Sequence, residues 1–379
     1  MEVKQIYSFV NEAQKEVLGE TAIVTEDLSN IVDVGKAIDA LESGYEKFYY
    51  ALANRIGRML YVNRPYRGKF KKMFRESWEF GSIMGKIQAE LLEAQEDPSF
   101  EIVNGASYDP FVINLPVVTA KFWNMLDTFQ IPLTTPIDQI KQSFTSRDEM
   151  VRFFSMLETM VNNSLELKME ILATRTINNL VAVTYNKGGA KVINLVTEYN
   201  GLAGTSLTAD TALINKEFLN YAVGRILDIK SFLENYCTLY NVGGKARFTS
   251  PDRLNIEMYS VFASRCKTHL ASNTYHEELV KLPFYEEVSA WQGSGTAGSN
   301  ADRMKIDVTA VDEEGNPLSV SATNVVGVMF DHDSAGILQP DRKVTAIYNP
   351  NADVTNQFFK YRCRYFNDFN ENAVVITLN

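Results

Sequence analysis

Residues whose types and spacing could do chemistry are few and dispersed. Gly293-Ser294-Gly295-Thr296-Ala297-Gly298 has the Gly-x-Gly-x-x-Gly spacing of a dinucleotide-binding turn. Such a turn works when a strand feeds it and a helix starts inside it, aiming backbone amides at a pyrophosphate. Here Ser299-Asn300-Ala301-Asp302 leads toward a strand, which favours a surface loop. Asp331-His332-Asp333 offers metal-ligand residue types, but alternate residues on a strand or turn cannot converge on one ion without a fourth ligand. Cys266 and His269 share a helix face, a spacing that chance produces as readily as a nucleophile and its base. There is no Gly-x-Ser-x-Gly elbow and no phosphate-binding P-loop. Cys237, Cys266 and Cys363 are too few for a disulfide framework or a zinc knuckle, and read as reduced, mostly buried thiols. The sequence therefore predicts no catalytic residues, no cofactor and no metal, and the expectation is a protein that is not an enzyme.

The whole-chain properties narrow the class further. The 379 residues carry 47 acidic and 37 basic side chains, a formal charge of -10. Phosphate-gripping domains are strongly basic, so binding nucleic acid is not the expected task. Apolar content of 45% and charged content of 22% are those of a globular chain with a sizeable core. The N-terminus shows no signal peptide, and no run reaches the roughly 18 apolar residues of a membrane span. The expectation is a soluble protein made in a reducing cytoplasm.

The elements come in an unusual order. Residues 1–60 read as helical, with Ile6, Phe9, Val10, Ala13 and Val17 recurring at three- and four-residue spacing, then Ile31, Val34, Ile38 and Leu41. An amphipathic arm of this kind must dock on its own body or on another subunit. Between 64 and 86 seven basic residues (Arg64, Arg67, Lys69, Lys71, Lys72, Arg75, Lys86) face two acidic ones, and from 90 to 101 the charge reverses with Glu90, Glu93, Glu96, Asp97 and Glu101. This stretch reads as a two-armed excursion with strand character whose polarised charge suits docking on a neighbour; a solvated hairpin is the plain alternative. Prolines at 110, 116, 132 and 136 exclude long helices from 108 to 145. Ser146-Arg147-Asp148-Glu149 then forms a capping-box signature ahead of apolar residues at helical spacing, with no Pro or Gly before Gly188. That is one helix of about 35 residues, roughly 50 Å long, and a helix of that length acts as a spine. Beyond it the sequence predicts a strand at 192–196, helices at 211–239 and 253–269, a hairpin over 304–330, and strands at 344–348, 358–365 and 373–378.

Several of these segments together resemble the major capsid proteins of tailed double-stranded DNA bacteriophages, the Hong Kong 97-type fold, and most of all the head proteins of small podoviruses and related gut phages. The resemblance rests on Lys69-Phe70-Lys71-Lys72-Met73-Phe74 with Glu79-Phe80-Gly81-Ser82-Ile83, and on Phe262–Leu282 with Thr274-Tyr275-His276-Glu277-Glu278-Leu279-Val280. The C-terminal block carries most of it: Val326-Gly327-Val328-Met329-Phe330-Asp331, Tyr348-Asn349-Pro350 and Tyr365-Phe366-Asn367-Asp368-Phe369-Asn370-Glu371-Asn372-Ala373-Val374-Val375. It covers most of the chain from about 64 onward.

The resemblance implies an α+β subunit with an N-terminal arm (1–64), an E-loop (65–120), a P-domain (121–199) holding the spine helix 146–185, an A-domain (200–339) and return strands (340–379) completing the P-domain. It implies a homo-oligomeric shell of pentamers and hexamers in the virion, assembled in the bacterial host cytoplasm with a separate scaffolding protein and a portal. The shell would enclose DNA without binding it specifically and would involve no membrane. Lys69, Lys71, Lys72, Arg75, Glu90 and Glu93 are the expected inter-subunit contacts of the E-loop. Covalent links between Lys69, Lys71 or Lys72 and Asn349, Asn351 or Asn356 are not expected, because no carboxylate is marked to catalyse them. Two other readings remain open at this point: an encapsulin-like bacterial compartment shell, and a cytoplasmic α/β enzyme using the 293–298 loop.

Overall fold

The computed structural model describes residues 3–19, 24–25, 27–41, 44–45, 47–48, 51, 70–75, 84–90, 92, 94, 96–97, 100, 103–109, 111, 113–273, 285–292, 299–338 and 340–379. Along the chain run α1 (Val3–Leu18), α2 (Ile31–Asp39), β1 (Phe74–Arg75), β2 (Met84–Ala89), β3 (Val118–Trp123), β4 (Leu126–Pro136), α3 (Ile137–Ser143) and α4 (Arg147–Lys187). Then follow β5 (Val192–Asn194), α5 (Leu195–Ala203), α6 (Ala209–Ala212), α7 (Lys216–Leu233), β6 (Leu254–Tyr259), α8 (Ser260–Asn273), β7 (Glu286–Val288) and α9 (Asn300–Arg303). The chain closes with β8 (Ile306–Val311), β9 (Pro317–Ala322), β10 (Val325–Asp331), β11 (Ala335–Leu338), β12 (Asp341–Asn349), β13 (Val354–Asn367) and β14 (Ala373–Thr377). They group into two compact units, 1–79 with 126–173 and 337–364, and 80–125 with 174–336 and 365–379.

In the first unit β13 lies between β12 and β4, antiparallel to both, in registers running from Val354↔Asn349 and Val354↔Pro136. β13 alternates buried residues with half-buried or exposed ones over its first ten positions, so its apolar face is read directly from the period of two. Phe359 and Tyr361 from that face join Val10, Ile31, Val34, Phe48, Phe144, Phe153 and Leu157 in one core. Phe144 meets Phe48 edge-on at 5.1 Å and Tyr45 at 5.6 Å. α2 passes so close to this ring that a Cβ on Gly35 would stand 2.8 Å from the Phe144 Cβ, so only glycine fits there. The helical arm is thus partly core: Val10 and Ala13 of α1 are fully buried.

α4 has 41 residues, about 60 Å at 1.5 Å per residue. Ser146 Oγ accepts from the Glu149 amide at 3.2 Å, which starts the helix where the capping signature placed it. The Glu149 carboxylate accepts from Arg152 at 3.1 Å.

The second unit is built on a mixed sheet ordered β5-β14-β10-β6-β7. β10 is antiparallel to both β14 and β6, whereas β5 and β7 run parallel to their neighbours. Every residue of β6, β10 and β14 is buried. Helices α5, α7 and α8 cover it through Leu195, Phe218, Leu219, Ala222, Ile226, Phe262 and Cys266.

Four sequence expectations need correction here. Residues 253–269 are not one helix: 254–259 form the buried strand β6, and helix begins at Ser260. The run Leu254-Asn255-Ile256-Glu257-Met258-Tyr259 sits between two strands, and that tertiary pairing overrides local propensity. The 304–330 hairpin is real but shorter, β8 pairing with β9 from Ile306↔Ala322 to Val311↔Pro317, while 325–331 leaves it to become a central strand of the main sheet. At 192–196 strand structure stops at Asn194 and helix starts at Leu195. The expected 211–239 helix forms over Lys216–Leu233.

Candidate assembly surface

The candidate site lies on the excursion. β2 and β3 pair antiparallel from Met84↔Trp123 to Ala89↔Val118. Alternation along both strands divides the ribbon into two faces. One carries Lys86, Gln88, Thr119, Lys121 and Trp123, all half-buried, and the other carries Gly85, Ile87, Ala89, Val118, Ala120 and Phe122. A ribbon on a globular body ordinarily turns its apolar face inward. This one is inverted: Ile87 is 76% exposed and Phe122 70% exposed.

The polar face explains the inversion. Lys86 Nζ lies 2.8 Å from Asp368 Oδ2 and 2.6 Å from Glu371 Oε1. Lys121 Nζ lies 3.3 Å from Asp368 Oδ1 and 3.2 Å from Glu313 Oε1. Gln88 donates to Glu371 and accepts from Arg247 Nη2 at 3.0 Å, and Arg247 Nε is 3.6 Å from Glu371. Lys245 donates to Glu90 at the end of the strand. Trp123 Nε1 donates to the Asn367 carbonyl at 3.1 Å, and its indole packs on Phe366 at 5.3 Å. The Asp368 side chain is fully buried and those of Lys86 and Lys121 mostly so, which makes these charge-assisted bonds stronger than surface pairs. The ribbon is thereby clamped by its charged face, with its apolar face left in solvent.

The clamp depends on the segment 365–372. From Phe366 onward its residues are buried and bonded in turn: Asn367 Nδ2 donates to the Thr176 carbonyl at 3.0 Å, Asp368 N to Ser334 O at 2.7 Å, and Asn372 Nδ2 to Thr249 Oγ1 at 3.2 Å. Ser334 Oγ donates to the Asn372 carbonyl at 3.0 Å. Asn370 approaches Gly243 so closely that a Cβ there would lie 1.9 Å from Asn370 Oδ1.

Beyond the ribbon the exposed apolar surface continues. Leu92, Phe100, Val103, Phe111, Ile113, Leu115 and Val117 are all exposed, Phe111 at 84% and Phe100 at 88%. Covering a phenylalanine, leucine or isoleucine is worth roughly 1.5–3 kcal/mol each. An exposed apolar tract of this extent marks a protein-interaction surface.

Of the six residues singled out in the sequence, Glu90 is engaged within its own chain by Lys245. Lys71 stands in a 3-10 turn, Lys71–Met73, Lys72 is half-buried in it, and Arg75 lies on β1 against β11. Lys69 and Glu93 lie outside the described residues. Sequence reasoning missed Lys121, Asp368, Glu371 and Arg247 as a clamp. The available signal was a strand alternating charged and apolar residues, Thr119-Ala120-Lys121-Phe122-Trp123, with no nearby acidic partner.

The residues considered for chemistry are accounted for structurally. Arg253 Nη2 lies 3.2 Å from Asp331 and also bonds Asp333, so the Asp331-His332-Asp333 carboxylates hold an arginine. Burial opposes the charge on that guanidinium, but the two carboxylates outweigh it and raise its pKa. Burial pushes the Cys266 and Cys363 thiols up to about 12, the opposite of an activated nucleophile. The 293–298 loop and the His269 side chain lie outside the described residues. Among the described residues no group of three or more His, Cys, Asp or Glu could hold a metal, and no helix is long and apolar enough to cross a membrane.

A two-unit α+β subunit with a long spine helix and an extended, outwardly apolar loop has the organisation of the Hong Kong 97-type phage capsid fold. The structure matches the "Capsid structure of Staphylococcus phage Andhra" with a TM-score of 0.54 at 11% identity, over 82% of this chain and 84% of that one. It matches a chain of the "Structure of head fiber and inner core protein gp22 of native bacteriophage P68" with a TM-score of 0.51 at 11% identity, over 82% and 85%. The model of the Phi29-like phage major capsid protein family matches residues 10–377, and the chain belongs to that family. No curated protein sequence matches it. The protein is therefore a structural capsid protein that assembles into a multimeric shell of a phage virion; the compartment-shell and enzyme readings find no support.

Proposed function

We propose that the protein forms pentamers and hexamers of an icosahedral head around double-stranded DNA, with the apolar face of the β2–β3 ribbon lying on an adjacent subunit. The observation that carries this reading is the inverted ribbon, clamped by charge and exposing Ile87, Val118 and Phe122. In this reading 1–64 is the arm, 65–120 the E-loop, 121–199 the P-domain, 200–339 the A-domain and 340–379 the returning strands. Lys69, Lys71, Lys72, Arg75 and Glu93 contact the neighbour, and Glu90 serves the clamp. Assembly takes place in the host cytoplasm, guided by a separate scaffolding protein and a portal, and the subunit performs no catalysis. A net charge of -10 suits a wall that contains DNA without adhering to it. Many weak contacts per subunit, closed by symmetry, supply cooperative stability and let misplaced copies dissociate.

The test is the double variant Ile87→Asp with Phe122→Asp. Both side chains are exposed, so the subunit keeps its melting temperature, and negative-stain microscopy shows no shells. Normal shells from this variant overturn the reading.

A further inference from the structure

A second exposed apolar surface lies on the spine helix. Its buried side carries Phe153, Leu157, Val161 and Met169. A surface helix normally presents polar residues opposite its core stripe. Here Met156, Met160, Leu167 and Ile171 are 43–61% exposed. At 100° per residue they fall within about 60° of one another, in a line about 22 Å long. Thr159, Asn163 and Ser164 complete this exposed face, and the one charge within its arc from 156 to 171 is the half-buried Glu170, between Thr159 and Asn163 in azimuth. The ends are engaged within the chain, Arg152 by Glu149 and Arg175 by the Tyr365 hydroxyl at 2.8 Å.

The stripe is symmetric in sequence. Met156 and Ile171 are equally far from the Asn163–Ser164 bond, and so are Met160 and Leu167. The spacing from 156 through 160 and 163 to 167 is also the four-three-four interval of a coiled-coil seam, with Asn163 at a seam position where a polar residue fixes register. We propose that the stripe is a two-fold contact between copies of this chain, one spine helix packing antiparallel on another about Asn163 and Ser164. Met156 then meets Ile171 of the partner subunit, and Met160 meets Leu167 of the partner subunit. The small residues at the centre permit close approach, and in the antiparallel pairing the two copies of Glu170 fall at opposite ends of the contact, about 20 Å apart, without like-charge repulsion. A contact this short falls below the size of interfaces that hold free dimers, so it forms in the shell and not between free subunits. The proposal rests on the shell reading above.

The test uses full-length subunits carrying Ser164→Cys, assembled into shells and treated with a bis-maleimide of two-carbon spacer, which bridges the 8–10 Å of a helix pair. The expected result is a covalent dimer at least tenfold more abundant than in wild-type shells or in unassembled Ser164→Cys subunits, joined Cys to Cys at position 164 by peptide mass. Asn163→Cys gives the same result if Ser164→Cys does not assemble. Shells without this dimer, or position 164 linked to the 84–123 excursion or to another protein, overturn the proposal. Absence of shells from the wild-type protein would instead defeat the shell reading. As a second measurement, Met160→Glu with Leu167→Glu leaves a folded subunit and reduces shell yield at least tenfold; wild-type yield counts against the contact.

Discussion

Lys86 and Lys121 stand directly opposite each other in the ribbon, and both bind the buried Asp368. Two facing cations on adjacent strands repel unless an anion lies between them. Here one carboxylate offers an oxygen to each, and Glu371 and Glu313 complete the balance. The repulsion is turned into a clamp that ties the ribbon to a loop far along the chain.

Removing that anion while keeping its volume tests the clamp. Asp368→Asn leaves two partly buried lysines facing each other, a loss of about 3–5 kcal/mol by analogy with broken buried pairs. For a unit of this size that is a fall of roughly 10 °C in the transition that reports the second unit. Lys121→Met costs less, because Lys86 keeps both carboxylates. Differential scanning calorimetry measures both, and an unshifted transition for Asp368→Asn would show that the clamp does not hold the ribbon.

Reversing the charges at Lys71→Glu and Lys72→Glu is expected to stop shell assembly while leaving a folded subunit. Far-ultraviolet circular dichroism checks the fold and electron microscopy checks assembly. Normal particles would remove these lysines from the neighbour contact.

The thiols give a chemical readout of burial. With Cys266 and Cys363 pushed up to about 12 by burial, a thiol reagent at pH 8 titrates Cys237 first and the other two only on unfolding. The linkage has a definite sign. The unfolded thiols ionise near 9, whereas the folded ones keep their protons to about 12, so the folded state binds more protons across that window. Stability is therefore intact below pH 9 and declines as pH rises from 9 toward 12. Denaturant midpoints at a series of alkaline pH values measure the decline, and replacing both cysteines with alanine makes it shallower, with buried tyrosines such as Tyr361 contributing the rest.

Ser146→Ala removes the side chain that caps the spine helix, a loss of about 1 kcal/mol. Ser146→Asp retains the acceptor and is expected to be neutral. Urea midpoints of the two variants decide whether the cap contributes as its 3.2 Å geometry indicates.

Much of this protein could be read locally. Apolar residues at helical spacing behind Ser146 define α4, because the backbone of a helix is satisfied within its own segment. β13 is equally legible, since a long strand with one buried face carries a period of two. The segment 365–372 carried the family likeness in the sequence, but its task became visible only when its asparagines were found bonded to the helix carbonyl of Thr176 and to the hydroxyls of Thr249 and Ser334.

What the sequence determined by itself was the spine, the strand-rich C-terminus, the lack of a recognisable catalytic motif and the capsid family. Each depends on neighbours along the chain or on motifs of adjacent residues. The tertiary structure alone decided that 325–331 joins the central sheet and does not close a hairpin with 306–311, and that 254–259 is strand. It also decided which face of the 84–123 ribbon is turned inward. The usual rule points the apolar face inward, and alternation alone cannot overrule it. The answer came from Asp368, 282 residues beyond Lys86, because charge pairs bind by distance in space and leave no trace in sequence spacing.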